Sequence, residues 1–177
     1  MNGMFLNCLS LIDNSPFRNW NVSNLKYMRA MFWNCVSLIH VISLGNWNVS
    51  NVENMNGTFF GCVSLENITS LGNWDVSNVN NMGGMFEHCR ALPNITALSQ
   101  WNVANVKAMD HMFCDCRTLE DASTISNWDV SGVEIMDAMF EDCAALNETP
   151  SWYNVEKIED EEAIEDETEP QEEDSSD

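Results

Sequence analysis

The sequence is poor in basic residues. Only 7 Lys and Arg stand against 28 Asp and Glu in 177 residues, for a formal net charge of −21. A chain this acidic is repelled by phosphate groups, so we expect no binding to nucleic acid or to an anionic membrane surface. It also lacks any apolar stretch near the roughly 20 residues that a membrane-spanning helix needs, so we expect no membrane insertion. The segment Met1–Phe5 has no basic region followed by an apolar run, and we see no signal peptide in this chain.

Catalytic motifs are also missing from the sequence. It contains no His-Glu-x-x-His, no Gly-rich phosphate-binding loop and no Gly-x-Ser-x-Gly. The acidic pairs Glu120–Asp121 and Glu141–Asp142 fit a charged solvent face better than acid–base catalysis. We therefore predict that the protein is not an enzyme and needs no cofactor.

One short motif has the residue types of a metal site. His111, Cys114 and Cys116 form His-x-x-Cys-x-Cys. Positions two apart are expected to face opposite ways, with Cys116 inward and Cys114 outward, so the thiols do not converge. No fourth ligand stands at a suitable spacing. We predict no metal site here.

The negative charge is concentrated at the C-terminus. From Glu156 to Asp177 the sequence holds 13 acidic residues and one Lys. Such a segment is self-repelling and poor in apolar residues, whereas the chain as a whole is 45% apolar. We expect a folded solenoid over residues 1–155 and an acidic, disordered tail over residues 156–177.

What the sequence does contain is a repeat of 27 residues without insertion or deletion. Each repeated residue type is interpreted as a buried scaffold position of stacked coils. The scaffold positions are Trp20, Trp47, Trp74, Trp101 and Trp128; Cys35, Cys62, Cys89, Cys116 and Cys143; and Phe32, Phe59, Phe86, Phe113 and Phe140. Met and Leu recur with the same period.

The pattern within one coil indicates two short elements. Apolar residues from Val52 to Cys62 are spaced by 3, 4 and 3, which is typical of one stripe of an α-helix or a 3₁₀-rich segment, with Ser50 at an N-cap position. The segment Leu65–Leu71 carries β-branched and small residues and is predicted to form a short strand. We expect an α/β repeat. Asn51 and its equivalents, one of which is Gly132, are predicted to be turn residues with positive φ.

The cysteines follow the repeat except for Cys114. The six periodic cysteines lie on the apolar stripe, so we predict buried thiols rather than disulfides. The equivalents of Cys114 in other coils include Trp33 and Glu87, so we predict an outward, exposed thiol that is the most easily modified in the chain.

The pattern Trp-(Asn/Asp)-Val-Ser-Asn-Val-x-x-Met-x-x-Met-Phe-x-x-Cys-x-x-Leu closely resembles the BspA-type leucine-rich repeats of microbial surface proteins. The match covers about residues 1–152. We predict a right-handed, leucine-rich-repeat-like solenoid of about five and a half coils. The resemblance implies a location at the cell surface or outside the cell, and adhesion or binding of a protein or glycan partner without catalysis.

Two features depart from the family. The chain begins inside a coil without an N-terminal cap, so it is either a piece of a longer protein or uses its first half-coil as a cap. It ends in the acidic tail, and Trp152 is expected to close the core before the repeat stops. The alternative function is therefore an intracellular or virion-associated scaffold with the same fold. The oligomeric state is left open.

Variable outward positions are the candidates for partner binding. One row contains His40, Asn67, Asn94 and Asp121, and another contains Thr69, Thr96 and Ser123. Curved solenoid faces bind partners through such rows, but Asn and Thr ladders also simply satisfy the solvent face of a sheet. A second candidate is the apolar outer cluster of Leu6, Trp33 and Phe60, which is either an interface or a surface once covered by further coils.

Overall fold

The computed structural model describes residues 1–153, and the predicted tail lies outside the described residues. Regular elements are few and short. The helices are all 3₁₀ helices, at Ser15–Phe17, Ile42–Asn46, Thr69–Asn73, Thr96–Gln100 and Ser123–Ile125. The coils are joined by isolated parallel bridges, at Tyr27–Asn54, His40–Asn67, Asn54–Asn81, Asn81–Ala108, Ala108–Ile135 and Asp121–Glu148. The fold is a solenoid-like repeat, but within residues 1–153 it contains neither an α-helix nor an extended strand, so the α/β assignment is wrong.

Successive coils are joined by a regular backbone ladder. The N–H groups of Met55, Gly57 and Phe59 donate to carbonyls 26 residues further along, at N···O distances of 2.9 Å. The N–H groups of Thr58 and Phe60 donate instead to the carbonyl three residues back, at 3.1–3.2 Å, and that of Asn56 donates to Asn54 Oδ1 at 3.0 Å. Alternate N–H groups thus stabilise the stack and the local turns.

Two positions in every coil have the left-handed backbone conformation. Their φ values lie between 52° and 69°. The first row is Gly3, Ala30, Gly57, Gly84, His111 and Ala138, and the second is Asn7, Asn34, Gly61, His88, Asp115 and Asp142. An α-helix cannot continue through a left-handed residue, so two such residues four positions apart leave only single turns in this part of the coil. This explains why the predicted helix over Val52–Cys62 does not form, although its apolar residues do face inward.

The 3₁₀ helix of each coil lies where a strand was predicted. In the coil that begins at Trp47, a bridge at Asn67 is followed at once by the helix Thr69–Asn73. Only Leu71 of this helix is buried, and it packs into the core, as Leu44 and Leu98 do in the neighbouring coils. Leu65, Ile68 and Leu71 are spaced by three, which is the period of a 3₁₀ turn and not the two-residue alternation of a strand.

The core consists of columns of identical side chains. Adjacent phenylalanine rings, from Phe5 to Phe140, stack with centroids 5.2–5.6 Å apart. The thiol of each periodic cysteine from Cys35 onward donates to the carbonyl of the phenylalanine 30 residues earlier, at 3.1–3.3 Å. All seven cysteines are free. Each coil therefore depends on the preceding coil for packing and for hydrogen bonding.

The tryptophans form a second column with its own polar contact. Trp74 is 3% exposed, and its indole Nε1 donates to the carbonyl of Leu44 at 2.9 Å. Trp47, Trp101 and Trp128 make the same bond to the preceding coil, at 2.9–3.1 Å. A buried indole N–H needs an acceptor, and here the Leu44 carbonyl accepts both the Trp74 indole and the backbone N–H of Trp47, the latter at 3.0 Å.

Trp152 joins this column although it stands three residues before the 27-residue period. Its Nε1 donates to the carbonyl of Ile125 at 3.1 Å, and its ring stacks on Trp128 at 6.4 Å. Tyr153 then packs edge-on against Phe140 at 5.0 Å. The two aromatic rings thus cover Trp128 and Phe140.

Asn51 and its equivalents do not have positive φ, contrary to the prediction. Their amides bind the neighbouring coil instead. The Nδ2 groups of Asn51, Asn78 and Asn105 donate to carbonyls 28 residues earlier, at 2.7–2.8 Å. Gly132 lacks this amide, and Lys107 Nζ donates to its carbonyl at 3.1 Å.

Ser50 is not a helix N-cap, because no helix follows it. Asn48 Oδ1 accepts bonds from both the N–H and the hydroxyl of Ser50, at 3.1 and 2.7 Å. Asp75 and Asp129 accept the same pair of bonds from Ser77 and Ser131. The Ser position therefore completes an Asx turn at the start of the coil.

We predict that Trp74→Ala lowers the free energy of unfolding by about 3–5 kcal/mol, because it empties a buried site shared by two coil interfaces. Urea denaturation followed by circular dichroism measures the change. Trp33→Ala is the matched control, since Trp33 lies on the outer surface and its loss is expected to cost about 1–2 kcal/mol. Equal losses in the two variants would contradict the stacked-tryptophan core.

Candidate functional site

The predicted partner-binding rows lie on the outer surface of the solenoid. His40, Asn67 and Asn94 are exposed and Asp121 is half-buried. In the second row Thr69 and Thr96 are exposed and Ser123 is half-buried. A parallel bridge brings His40 next to Asn67, but among the described residues Asn94 has no such bridge. Backbone bridges therefore join only some neighbouring members of the first row.

In two coils a short hydrogen bond links the two rows. Asn67 Oδ1 accepts the N–H of Thr69 at 2.9 Å, and Asp121 Oδ1 accepts the N–H of Ser123 at 2.6 Å. Each bond fixes the first residue of a 3₁₀ helix. Some hydrogen-bonding groups of these side chains are thus used by the fold itself. This agrees with the alternative interpretation, in which the Asn and Thr rows serve the structure and bind no partner. The remaining amide and hydroxyl groups face solvent.

The apolar cluster of Leu6, Trp33 and Phe60 lies on another part of the surface. Trp33 and Phe60 stack with ring centroids 3.6 Å apart, and the edge of His88 meets Phe60 at 5.0 Å. Trp33 lies over Gly57, where an added Cβ would come within 2.7 Å of the ring. The missing side chain of Gly57 therefore leaves the space that the Trp33 ring occupies.

A charged cluster around Asp115 was not predicted. The Asp115 side chain is 4% exposed and accepts bonds from Arg90 Nε at 2.7 Å and from Arg117 Nε at 2.5 Å. His88 Nδ1 lies 2.8 Å from the same carboxylate. Two guanidinium groups and one imidazole thus surround a single buried charge, and the guanidinium groups remain about half exposed.

The electrostatics of the cluster follow from this geometry. Burial raises the pKa of Asp115, but hydrogen bonds from Arg117, Arg90 and His88 outweigh it and hold the pKa well below its ordinary value. Burial raises the pKa of Glu87, which lies 3.5 Å from His88. The cluster neutralises a buried carboxylate, which is a structural task.

The sequence contained a signal for this cluster that was overlooked. His88 and Asp115 are 27 residues apart, as are Arg90 and Arg117, so each pair occupies one row of neighbouring coils. Positions at the repeat period are neighbours in space. The Arg90–Arg117 row lies two positions after the His88–Asp115 row, and this arrangement of two basic residues beside His and Asp predicts an ion-pair network.

The prediction of an exposed Cys114 is wrong. Cys114 is 7% exposed, because its short side chain lies in a row between the longer Glu87 and Glu141. Burial, followed by the charges of Glu87 and Glu141, raises the pKa of this thiol to about 11. The thiol is protonated at neutral pH and is therefore a poor nucleophile.

Within residues 1–153, no three His, Cys, Asp or Glu side chains are grouped closely enough to bind a metal ion. His111 approaches Asp110 at 3.8 Å, while Cys116 is fully buried and bonded to a backbone carbonyl. The motif His111-x-x-Cys114-x-Cys116 therefore does not converge. In the same residues no helix is long and apolar enough to cross a membrane.

Comparisons with known proteins give one family whose model matches the chain. A family model described as "Mycoplasma protein of unknown function, DUF285" matches residues 1–117 and again residues 66–176. A search of curated proteins finds no match.

Two solved structures are similar at low identity. A leucine rich cell surface protein of Faecalibacterium prausnitzii A2-165 gives a TM-score of 0.40 and 21% identity, over 67% of this chain and 34% of that chain. A T. pallidum leucine rich repeat protein gives a TM-score of 0.39 and 19% identity, over 67% and 58% of the two chains. The chain spans less than two thirds of the length of either structure.

The buried carboxylate of Asp115 leads to a prediction about stability and pH. We expect Asp115→Asn to lower the free energy of unfolding at pH 7 by about 1–3 kcal/mol, because the charged hydrogen bonds to Arg90 and Arg117 are weakened. The folded-state pKa is lowered, so this contribution is present above the ordinary value of 3.8 and is lost as the pH falls below it.

Urea denaturation of the wild type and of Asp115→Asn at several pH values measures this effect. The difference between them should narrow from pH 7 to pH 2. Glu134→Gln is the control, since its exposed pair with Lys107 is expected to contribute less than about 0.5 kcal/mol. A difference that stays constant down to pH 2 would exclude the ion-pair explanation.

Proposed function

The chain belongs to the DUF285 family of Mycoplasma proteins, and we propose that it is a non-enzymatic binding module that recognises a protein or glycan partner at the cell surface. The observation that carries the proposal is the contrast between the repeated core and the variable outer rows. Phe59 and its counterparts are identical from coil to coil, whereas His40, Asn67 and Asp121 differ along one row. A rigid stack that presents different side chains at regular spacing suits recognition of an extended surface.

The finer features of the proposal come from the sequence pattern. We infer a right-handed winding of about five and a half coils, and a relationship to BspA-type repeats of microbial surface proteins. Their role in adhesion supports a location at the cell surface. The binding face is assigned to Thr69, Thr96 and Ser123, together with His40, Asn67, Asn94 and Asp121. These side chains lie on or beside the 3₁₀ helices, which hold them at fixed positions.

The partner class can be tested without assuming a ligand. The fluorescently labelled full chain is applied to a glycan microarray and to a peptide microarray, and the strongest hit is then measured with variants. We expect Thr96→Arg to weaken this binding at least tenfold, which corresponds to about 1.4 kcal/mol. Asn80→Arg is the matched control, because Asn80 is also exposed but lies on a different row.

Two results would count against the binding face. If Thr96→Arg and Asn80→Arg weaken binding equally, the assignment of the binding face is wrong. If neither array gives a reproducible hit, the proposed protein or glycan partner is not supported. The alternative, an intracellular or virion-associated scaffold, is favoured if antibodies to the chain fail to label intact cells but label permeabilised ones.

A further inference from the structure

Asn56 and Gly57 form a dipeptide with a chemical reactivity of its own. Asparagine is a thermolabile residue, and a following glycine, which has no Cβ, leaves its backbone nitrogen free to approach the asparagine amide carbon. The sequence contains Asn-Gly twice, at Asn2–Gly3 and at Asn56–Gly57, and both pairs stand at the same position of the 27-residue repeat. The second pair is part of the backbone ladder, so its reactivity depends on the stack.

The two nitrogen atoms that take part in the reaction at Asn56 are bonded to one carbonyl of the next coil. Gly57 N–H donates to the Gly83 carbonyl at 2.9 Å, and Asn56 Nδ2 donates to the same oxygen at 2.8 Å. From the preceding coil, Arg29 Nε donates to Asn56 Oδ1 at 3.2 Å, and Ala30 N–H donates to the Asn56 carbonyl at 2.9 Å. Asn56 is therefore held by both neighbouring coils.

Conversion of Asn56 requires the bonds to Gly83 to open. The Gly57 nitrogen forms a bond to Asn56 Cγ and gives up its proton, the Cγ–Nδ2 bond breaks, and Nδ2 leaves with that proton as ammonia. Water then adds to either carbonyl of the cyclic imide, which leaves aspartate or isoaspartate at position 56. A backbone N–H that donates within the ladder is protected from losing its proton until the coils separate, as in hydrogen exchange.

From this geometry we propose that Asn56 is a site of spontaneous deamidation, which the closed stack keeps unreactive. The site becomes reactive each time the coil that begins at Trp47 separates from the coil that begins at Trp74. The reaction needs only water, with no enzyme and no cofactor. Because the ammonia is lost, converted chains accumulate with the time that this interface spends open.

The two products differ in their effect on the ladder. Aspartate occupies the same repeat position at Asp110 and Asp137, so the stack accommodates this side chain. Isoaspartate instead routes the main chain through the side chain and adds one carbon atom to the backbone before Gly57. The N–H groups of Gly57 and Phe59 then lose their register with the next coil, to which they donate at 2.9 Å in the intact stack. The isoaspartate form therefore opposes reclosure of the interface.

Incubation of the full chain in mildly alkaline buffer, with and without denaturing urea, tests the proposal. Peptide mass spectrometry measures conversion at each asparagine from the replacement of NH₂ by OH. We expect Asn56 to convert at least about 100-fold faster in urea than in the folded chain, because interior ladder bonds open only with a large part of the free energy of unfolding. Asn2 is the internal reference, since its side chain is exposed, and it should convert faster than Asn56 in the folded chain.

A pair of variants tests whether the opening of this interface controls the reaction. Trp74→Ala should raise the rate at Asn56 in the folded chain at least about tenfold, because Trp74 packs on Phe59 with ring centroids 6.3 Å apart. Trp128→Ala is the matched control, since it removes the same side chain two coils further along, and its effect on Asn56 should be much smaller. If circular dichroism shows that either variant does not fold, Phe59→Leu and Phe140→Leu give the same comparison with smaller losses.

Three results would overturn the proposal. They are conversion of Asn56 as fast in the folded chain as in urea, no conversion of Asn56 in urea, and equal acceleration by the two variants of the pair. The effect of the products is measured separately. Chains with isoaspartate should unfold at a lower urea concentration than Asn56→Asp, which has the charge without the longer backbone, and equal midpoints would show that the longer backbone does not disturb the ladder.

Discussion

The structure depends on the hydrogen bonds that join alternate N–H groups of one coil to carbonyls of the next. Those bonds require two left-handed residues in every coil, such as Gly57 and Gly61, which turn the intervening N–H groups back onto the same coil. The carbonyls that close turns within one coil, such as those of Leu44 and Phe32, also accept bonds from the buried indole and thiol groups of the next coil. The polar atoms of the core are thereby satisfied by the stack itself.

Much of the core could be predicted from the sequence, but the local structure could not. A strict period of 27 residues identifies the neighbours of Phe59 or Trp74, since equivalent residues must stack. Spacings of 3 and 4 between apolar residues, however, arise equally from an α-helix and from single turns separated by left-handed residues. Ala30 and Ala138 occupy such positions although alanine does not favour positive φ, so composition alone did not reveal them.

The outer surface was harder to predict, because it depends on pairs of rows. Cys114 is buried by the two glutamates beside it in its row, and Asp115 is buried by arginines from its own and the preceding coil. Neither effect follows from the residue type at a single position, because each depends on side chains of a neighbouring coil. Residues 1–109 hold equal numbers of acidic and basic side chains, whereas residues 110–153 hold ten acidic and one basic. The surface thus combines one repeated scaffold with two chemically different halves.

Hydrogen exchange of the indole N–H groups, followed by NMR, tests the stacked ladder most directly. The account predicts slow exchange for the indoles bonded to the preceding coil, at Trp47, Trp74, Trp101, Trp128 and Trp152, with the central ones slowest. Trp33, which lies on the outer surface, should exchange fast. Uniformly fast exchange of all indole groups would contradict the account.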